Sequence, residues 1–456
     1  MWKSFIKKKF SLNSNPKRTI CLSFLFTIVM GMFLLKLPFA TTSNKPLSFF
    51  YCFFTATATT CISGVPLHDT FSHWTFFGQI IILILTQLGA LGVLTLYSIF
   101  AISINKKLNL KSMQLAGDQI SAPSFANFKS LFKSVLYITL SCEVIGAILL
   151  SFTYYPNFKL YGIFMAFFTA VSSYCNAGLD LNGIIQPNCS FIPFQNNYYV
   201  LTITSLLTFL GSLGVIVIYE IIKLKKQHKK LKFLSINSKT AIFTSSILIL
   251  LGSIIFFTLE FNHSLNNLNL FDKIFTSIFH SISTRSNGYL TLNLASLTNL
   301  TKVILCVLML IGGCPSGTGG GLKTTTLTIL FATTFNTIKN RKHIYMFKHK
   351  INEFDIYKAI STLIITIITI TSATILIYKF DTIIQLPTII FTAISVFANT
   401  GFQTVPVACF CNASKLIFLF LMFIGRIGPL NFTATFLNIK NSKKQISLPE
   451  GKIQTS

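Results

Sequence analysis

Four segments of the chain align on one glycine, and their backbones offer a chemistry that side chains rarely supply. They are FFTATATTCISGV, AFFTAVSSYCNAGL, IFHSISTRSNGY and IIFTAISVFANTGF, which contain Gly64, Gly178, Gly288 and Gly401. The glycines are 114, 110 and 113 residues apart. In each segment, about three helical turns of apolar and small residues precede a polar tetrad. A period of this length predicts a membrane hairpin repeated four times around one axis.

The chemistry of these segments is that of backbone carbonyls. The apolar part of each is too short to cross ~30 Å of hydrocarbon and its polar end cannot face lipid, so each segment must re-enter the membrane inside protein. Four such loops can replace the water around a cation with carbonyl oxygens, and glycine permits the backbone angles required. One loop alone would be explained by an ordinary loop glycine, whereas four in register favour a selectivity filter. The candidate filter residues are Thr60, Cys61, Ile62, Ser63 and Gly64; Cys175, Asn176, Ala177 and Gly178; Arg285, Ser286, Asn287 and Gly288; and Ala398, Asn399, Thr400 and Gly401.

A second set of glycines follows in the next hydrophobic run of each repeat. Close helix packing through small residues explains this set in the first two copies. The glycines are Gly89 and Gly92, Gly211 and Gly214, Gly312 and Gly313, and Gly425 and Gly428.

The third copy contains a Gly-rich loop, residues 312–321, with six glycines and a proline. It cannot remain helical, and non-helical backbone at membrane depth is tolerated only beside protein or a water-filled cavity. We therefore predict a gate below the filter, with a passive kink as the alternative. A nucleotide-binding loop needs Gly directly before Lys, and here Leu322 intervenes. The candidate gating residues are Gly312, Gly313, Cys314, Pro315, Ser316, Gly317, Thr318, Gly319, Gly320, Gly321 and Lys323.

The fourth copy contains Arg426 within the apolar run IFLFLMFIGRIGPLNF. An arginine in a membrane span normally faces a cavity or a partner, because lipid exposure costs ~3 kcal/mol or more. Arg426 either holds a positive charge in the ion path or forms a structural salt bridge, with Glu143 or Glu220 as partner. Glu143 can alternatively pair with backbone amides of a re-entrant loop.

The composition indicates a membrane protein. Hydrophobic residues make up 52% of the 456 residues, charged residues 11%, and the mean hydropathy is +0.66. These values exclude an ordinary soluble domain. Eight runs are long enough to cross a bilayer; they lie near 20–40, 76–104, 132–153, 198–222, 240–261, 300–335, 356–380 and 414–438.

The net charge of +27 is distributed as in a membrane protein rather than as in a nucleic-acid-binding protein. Of the 38 Lys and Arg residues, 28 lie in the N-terminus, every second loop and the tail. This asymmetry predicts that both termini are cytoplasmic. Clusters such as the lysines of 223–230 are expected to anchor the topology on anionic lipid, with docking of a cytosolic partner as the alternative.

The ten cysteines and seven histidines show no spacing of a metal or haem site. A membrane enzyme would require a cluster of such residues. The chain is therefore expected not to be an enzyme, to have no catalytic residue and to carry no organic cofactor.

These motifs resemble the membrane subunit of the Ktr/Trk potassium transporters, which is related to the plant HKT proteins. IGGCPSGTGGGLKTTT is similar to the family's GGSPGSTAGGIKTT stretch, and MFIGRIGP resembles its fourth-repeat arginine motif. FHSISTRSNGY resembles the third filter loop, CNAGLDL the second, and SLPEGKIQ a family C-terminus. The resemblance covers nearly the whole chain, and eight spans without an extra leading pair favour the Ktr branch.

The resemblance implies an all-α polytopic membrane protein with four pseudo-repeats of helix, pore helix and helix around one path. It also implies a homodimer and a cytosolic nucleotide-binding ring as regulatory subunit. The family's filter glycines, gating loop and pore arginine correspond to the ring of four glycines, residues 312–321 and Arg426. The expected repeats are 1–112, 113–232, 233–345 and 346–440, followed by a cytoplasmic tail at 441–456.

The chain departs from the family pattern in the first filter loop and in the Gly-rich loop. Cys61 stands where Thr is common, Cys314 stands where Ser is usual, and the first loop reads CISG rather than TVTG. In the related plant proteins, Ser at the first filter position accompanies sodium selectivity, so Gly64 implies potassium. The expected function is uptake of K⁺ across the cytoplasmic membrane through the filter, driven by membrane potential, with Na⁺ dependence open. The alternative is a secondary transporter of another cation or a small solute.

Overall fold

The computed structural model describes residues 16–42, 47–92, 95, 128–341 and 343–436, and within them it is predominantly helical. The first repeat begins with the long helix α1 (Pro16–Leu35). The short helix α2 (Phe49–Cys61) follows, with the Ser48 hydroxyl capping its first turn. The single turn α3 (Thr70–His73) then leads to α4 (Phe76–Leu91). The remainder of the predicted second span, up to residue 104, lies outside the described residues apart from residue 95.

The second repeat joins its first two helices into one element, α5 (Phe128–Cys175). The backbone of Lys159 in this element has φ 52° and ψ −134°, which separates a long span from a re-entrant helix. Pro156 precedes the kink and removes one helical hydrogen bond. Helices α6 (Tyr198–Leu213) and α7 (Val215–Lys226) follow and meet at a 91° bend.

The third repeat is the one with the Gly-rich loop. Its long helix is α8 (Ile236–Glu260), and its re-entrant helix is α9 (Leu270–Ser286). Helix α10 (Asn299–Leu310) ends directly before the loop, and α11 (Thr324–Ile338) begins after it. The predicted break in the span at 312–321 is therefore present.

A small antiparallel hairpin, β1 (Tyr345–Met346) and β2 (His349–Lys350), precedes the fourth repeat. This repeat consists of α12 (Glu353–Phe380), α13 (Leu386–Ala398), and the pair α14 (Asn412–Ile427) and α15 (Pro429–Phe436), which is bent by 100°. The predicted tail at 441–456 lies outside the described residues.

The four repeats share one design within the described residues. The first helix of each repeat is long and apolar enough to cross a membrane: 17–35, the start of α5, α8 and α12. The second membrane-crossing element is broken in three repeats. Counting each bent pair as one gives six candidate spans rather than eight. The other two fall short because α4 has only 16 residues and ends at the Gly92 cap, and because the Gly-rich loop divides α10 from α11.

Contacts between repeats close a circle. Helix α4 packs on α5, α6 on α9, α10 on α13, and α14 returns to α2. The chain thus surrounds a central axis, with the short re-entrant helices on the inside. Most residues of these short helices are buried, whereas the long helices leave many large apolar side chains exposed.

A ring of four glycines and the Gly-rich loop beneath it

The glycines that align in the sequence meet in space. We call Gly64, Gly178, Gly288 and Gly401 the glycine ring, and all four have positive φ, between 63° and 91°. A methyl group added at Gly64 would lie 2.9 Å from the carbonyl oxygen of Ala177 in the second loop. The same addition at Gly178 and Gly288 would collide with the third and fourth loops, and at Gly401 with Gly64. Each loop therefore touches the next, and the ring is closed.

The re-entrant helices end just before the ring, and three of them end in the same way. Ile62, Asn176 and Asn399 adopt the left-handed conformation two residues before their glycines, with φ between 54° and 61°. The third helix continues through Ser286, and Asn287 keeps a φ of −112°. Several candidate filter residues therefore belong to last helical turns rather than to the loops: Thr60, Cys61, Cys175, Arg285, Ser286 and Ala398.

A cavity of about 240 Å³, the ring cavity, has the whole glycine ring in its wall. Asp69, Asp180 and Gln403 also line it. The Asp69 carboxylate accepts hydrogen bonds from the amides of Ser72 at 2.9 Å and Asn188 at 3.1 Å. This mouth of the ring is consequently negative.

Burial raises the pKa of the Asp180 carboxyl to about 7, and the neighbouring Asp69 carboxylate contributes to the rise. Neither Asp69 nor Asp180 is among the residues predicted for the filter. Sequence position could have identified two of the polar residues in this cavity, because Asp180 follows Gly178 by two residues and Gln403 follows Gly401 by two.

The neck of the Gly-rich loop is a backbone clamp. Ile311 and Leu322 form a parallel bridge, the Gly312 amide donates to the Leu322 carbonyl at 2.9 Å, and the Leu322 amide donates to the Leu310 carbonyl at 3.0 Å. Beyond the neck, the amides of Cys314 and Thr318 donate to carbonyls of α6. The loop is thus non-helical, as predicted, but its backbone groups have protein partners.

The loop lies against the ends of the re-entrant helices. The side-chain amide of Asn176 lies 2.6 Å from the Thr318 hydroxyl and 3.1 Å from the Ser286 hydroxyl. A methyl group on Gly320 would lie 2.6 Å from the carbonyl oxygen of Ala398. A methyl group on Gly319 would lie 3.0 Å from Ser286 Cβ, so three of the four candidate filter segments contact the Gly-rich loop.

Arg426 connects this loop to the first repeat. Its guanidinium donates to the Thr318 carbonyl, to the Gly89 carbonyl at 2.7 Å and to the Ala90 carbonyl at 3.1 Å. With Lys323, it lines a second cavity of about 160 Å³, the loop cavity. Arg426 therefore faces a cavity and is held by backbone carbonyls; its role in the ion path stays a prediction.

The carboxylates considered as partners of Arg426 bind other groups. Glu143 accepts from the Gln87 amide at 3.2 Å and lies 3.7 Å from the Cys175 sulfur. Glu220 accepts from the amide of Ser235 and from hydroxyl groups near the start of α8. Glu143 also contacts side chains rather than backbone amides. Arg426 thus binds backbone carbonyls instead of forming a salt bridge with Glu143 or Glu220. Glu143 lies beside Gln87 and Cys175 instead of binding backbone amides.

Arg285 does not fit its predicted place in the filter. Its side chain is 2% exposed, and its Nη2 atom donates to the Gly312 carbonyl at 3.1 Å and to the Ser245 hydroxyl at 3.3 Å. The guanidinium therefore extends behind the ring, toward the neck of the Gly-rich loop. A fixed positive charge in a cation filter would repel the cation, which explains why the side chain avoids the ring.

The second glycine set packs directly on the re-entrant helices. A methyl group on Gly89, Gly211 or Gly425 would lie within 2.1 Å of the carbonyl four residues before the ring glycine of its own repeat. Close packing thus applies to the fourth copy as well as to the first two. In the third copy, Gly312 instead meets Gly320 of its own loop.

Known proteins support a transport role for this architecture. The family profile described as "TrkH: Cation transport protein" matches residues 21–447. The Ktr system potassium uptake protein D of Bacillus subtilis is 30% identical over 425 residues, 92% of both chains. The potassium/sodium uptake protein NtpJ of Enterococcus hirae is 28% identical, over 95% of both chains.

The fold also has a solved counterpart. The potassium transporter TrkH from Vibrio parahaemolyticus superposes with a TM-score of 0.69, covering 91% of this chain and 84% of that one, at 16% sequence identity. That similarity concerns the fold alone. The resemblance inferred from the motifs is confirmed by the family profile, and the related proteins are ion transporters rather than enzymes. The chain therefore belongs to the TrkH family of membrane cation transport proteins.

Proposed function

We propose that this protein takes up potassium across the cytoplasmic membrane through a filter made by the four loops of the glycine ring. The closed ring carries the proposal. Four backbones with positive φ in mutual contact can replace the water shell of one dehydrated cation from all sides. The driving force is the membrane potential, ~2.3 kcal/mol per elementary charge per 100 mV.

Potassium is favoured over sodium for two reasons. Glycine occupies the first filter position, which the family resemblance associates with potassium. Two of the similar proteins are named for potassium uptake and for potassium/sodium uptake. Sodium enters this proposal as a possible second transported or coupled ion.

The Gly-rich loop is the proposed gate. Its tip is held at Thr318 by Arg426, and its neck is closed by the Ile311–Leu322 bridge. Two cationic side chains beside the loop cavity, Arg426 and Lys323, donate to the carbonyls of Thr318 and Gly319, so release of these contacts would let the tip move. In the proposed assembly two copies of the chain form a homodimer, and a cytosolic nucleotide-binding ring controls the gate. Membrane lipid surrounds the long helices, and both termini are cytoplasmic.

Growth of a potassium-uptake-deficient cell at low potassium tests the transported ion. Expression of the chain, with its regulatory subunit supplied, is expected to restore growth and rubidium uptake. Rubidium uptake by the purified protein in liposomes, with sodium as competitor, separates the alternatives. Sodium uptake without rubidium uptake by correctly inserted protein would favour a transporter of another cation. Absence of both would favour a small-solute transporter.

A further inference from the structure

We infer that Arg285 is a positioning residue for the gate, which fixes the neck of the Gly-rich loop while Arg426 holds its tip. This inference rests on the proposed gating function. It is carried by the Arg285 contacts and by a comparison of the four repeats.

The position of Arg285 is special to the repeat that has the loop. Three residues before each ring glycine, the other repeats have the small residues Cys61, Cys175 and Ala398. All three are fully buried, so this position otherwise needs only a small apolar side chain. A buried guanidinium is costly unless its donors find strong acceptors. Its presence only in repeat three indicates a task that belongs to the loop.

The contacts identify that task. Arg285 Nη2 donates to the carbonyl of Gly312, the residue at which the chain leaves α10 for the loop. The same atom donates to Ser245, whose hydroxyl lies 3.5 Å from the sulfur of Cys314, two residues further into the loop. Among the described residues, Arg285 Nε has no hydrogen-bond partner. The guanidinium therefore binds the neck of the loop through its terminal Nη2 atom.

The two arginines differ in how easily they can release the loop. Arg426 borders the loop cavity, whereas Arg285 is almost completely buried between α8, α9 and the loop. A contact beside a cavity can break and be replaced by water, while a buried contact cannot. Motion of the loop is thus expected to release Thr318 from Arg426 and to pivot at Gly312, which Arg285 holds in place.

Two substitutions test this role. Arg285→Gln removes the charge and shortens the side chain, and Arg285→Lys keeps the charge but loses the planar donor group. Lys302→Gln is the matched control, because Lys302 is a basic residue of the same repeat whose one hydrogen bond within the described part of the chain goes to the Ala295 carbonyl. Size-exclusion chromatography first establishes that each variant is folded.

The first measurement is alkylation of Cys314, read by peptide mass spectrometry. Cys314 is fully buried, so it should be protected in the original protein and in Lys302→Gln. Loss of a hydrogen bond from a charged group should increase its labelling rate about tenfold in Arg285→Gln, with Arg285→Lys intermediate. Unchanged protection of Cys314 in both folded Arg285 variants would overturn the inference. This result does not depend on which cation is transported.

The second measurement is rubidium leak in liposomes together with rubidium/sodium competition. Arg285→Gln should raise the leak about tenfold and leave the competition unchanged, because the ring itself keeps its contacts. A changed competition with unchanged leak would make Arg285 a filter residue and refute the positioning role. If the original protein carries no rubidium, the proposed potassium uptake fails, and the alkylation result still decides the role of Arg285. If Arg285→Gln does not fold, Arg285→Lys provides both measurements.

Discussion

Steric room differs among the four ring glycines, although the sequence makes them look equivalent. A methyl group would lie 2.9 Å from its nearest neighbour atom at Gly64, but only 2.0 Å at Gly178 and 1.9 Å at Gly288. All four have a φ that costs L-residues ~1–2 kcal/mol. The strain is thus shared, whereas the collision is severe in the second and third loops.

We predict that Gly288→Ser reduces discrimination between potassium and sodium more than Gly64→Ser does. A serine at residue 288 must push the Thr400 carbonyl out of place, while a serine at residue 64 needs a much smaller shift. We expect at least about a tenfold loss of rubidium/sodium preference for Gly288→Ser, since ~1.4 kcal/mol corresponds to that factor. Sodium competition of rubidium uptake measures it. Equal preference in both variants and the original protein would argue against a filter at the ring.

Asp180 should make uptake depend on external pH. Its pKa of about 7 lies above that of a free carboxyl, so the charge is absent below pH 6 and present above pH 8. Ionisation adds a negative charge to the ring cavity, where ~1 kcal/mol of attraction corresponds to about fivefold higher local cation concentration. Uptake from low potassium should therefore rise by up to about fivefold from pH 6 to pH 8.

The matched variants for this pH effect are Asp180→Asn and Asp272→Asn. Asp180→Asn should flatten the pH profile at its low value. Asp272 lies outside the ring cavity, and its substitution should leave the rise intact. A rise that persists in Asp180→Asn would assign the pH dependence to another group.

At the scale of elements, the Gly-rich loop replaces what would otherwise be a continuous helix. Its six glycines prevent helix formation. The amides of Cys314 and Thr318 donate to the carbonyls of Ser212 and Gly211, and these hydrogen bonds give the loop one defined conformation. Arg426 of the fourth repeat lines the loop cavity and attaches the loop to that repeat. The geometry of three backbone acceptors around one guanidinium makes this attachment specific for arginine.

We predict that Arg426→Ala and Arg426→Lys both increase cation leak, by about tenfold or more for Ala. Hydrogen bonds to a charged group contribute ~1.5–3 kcal/mol, and lysine cannot reach three carbonyls in the same geometry. Rubidium efflux from liposomes measures the leak. If Arg426→Lys instead behaves like the original protein, the positive charge itself is the barrier and the carbonyl contacts are incidental.

At the scale of the molecule, the circle of repeats assigns the loops to two sides. The ring cavity includes Ala408, and Cys409 beside it is exposed. The basic hairpin and the basic end of α7 belong to the connections between repeats. The proposed orientation places Cys409 outside and these basic segments in the cytoplasm.

We therefore expect a membrane-impermeant maleimide to label Cys409 on intact cells. Cys189 lies in another loop of the same side but is only 6% exposed, so it should react only after denaturation. The Cys409→Ser variant identifies the labelled site. Labelling of Cys409 only after the cells are opened would reverse the proposed orientation.

The local features of this protein were predictable from its sequence because they depend on short-range physics. Apolar runs fix the long helices, the glycine-centred tetrads fix where the re-entrant helices end, and six glycines with a proline break α10 from α11. The repeat spacing also indicated that four equivalent loops must share an axis. The fold class and the family followed from these features.

Side-chain destinations required the tertiary structure, because they depend on neighbours that are far away in the chain. Arg285 and its neighbours looked like one filter segment, yet the guanidinium turns to Gly312 and Ser245, where it finds acceptors without placing a positive charge in the path of a cation. Arg426 binds carbonyls 108 and 337 residues away rather than Glu143 or Glu220. The sequence thus determined four loops, one break and one intramembrane arginine. Only the packing of the repeats into a circle decided which loop touches which, and therefore which residues line the ring cavity and which hold the Gly-rich loop.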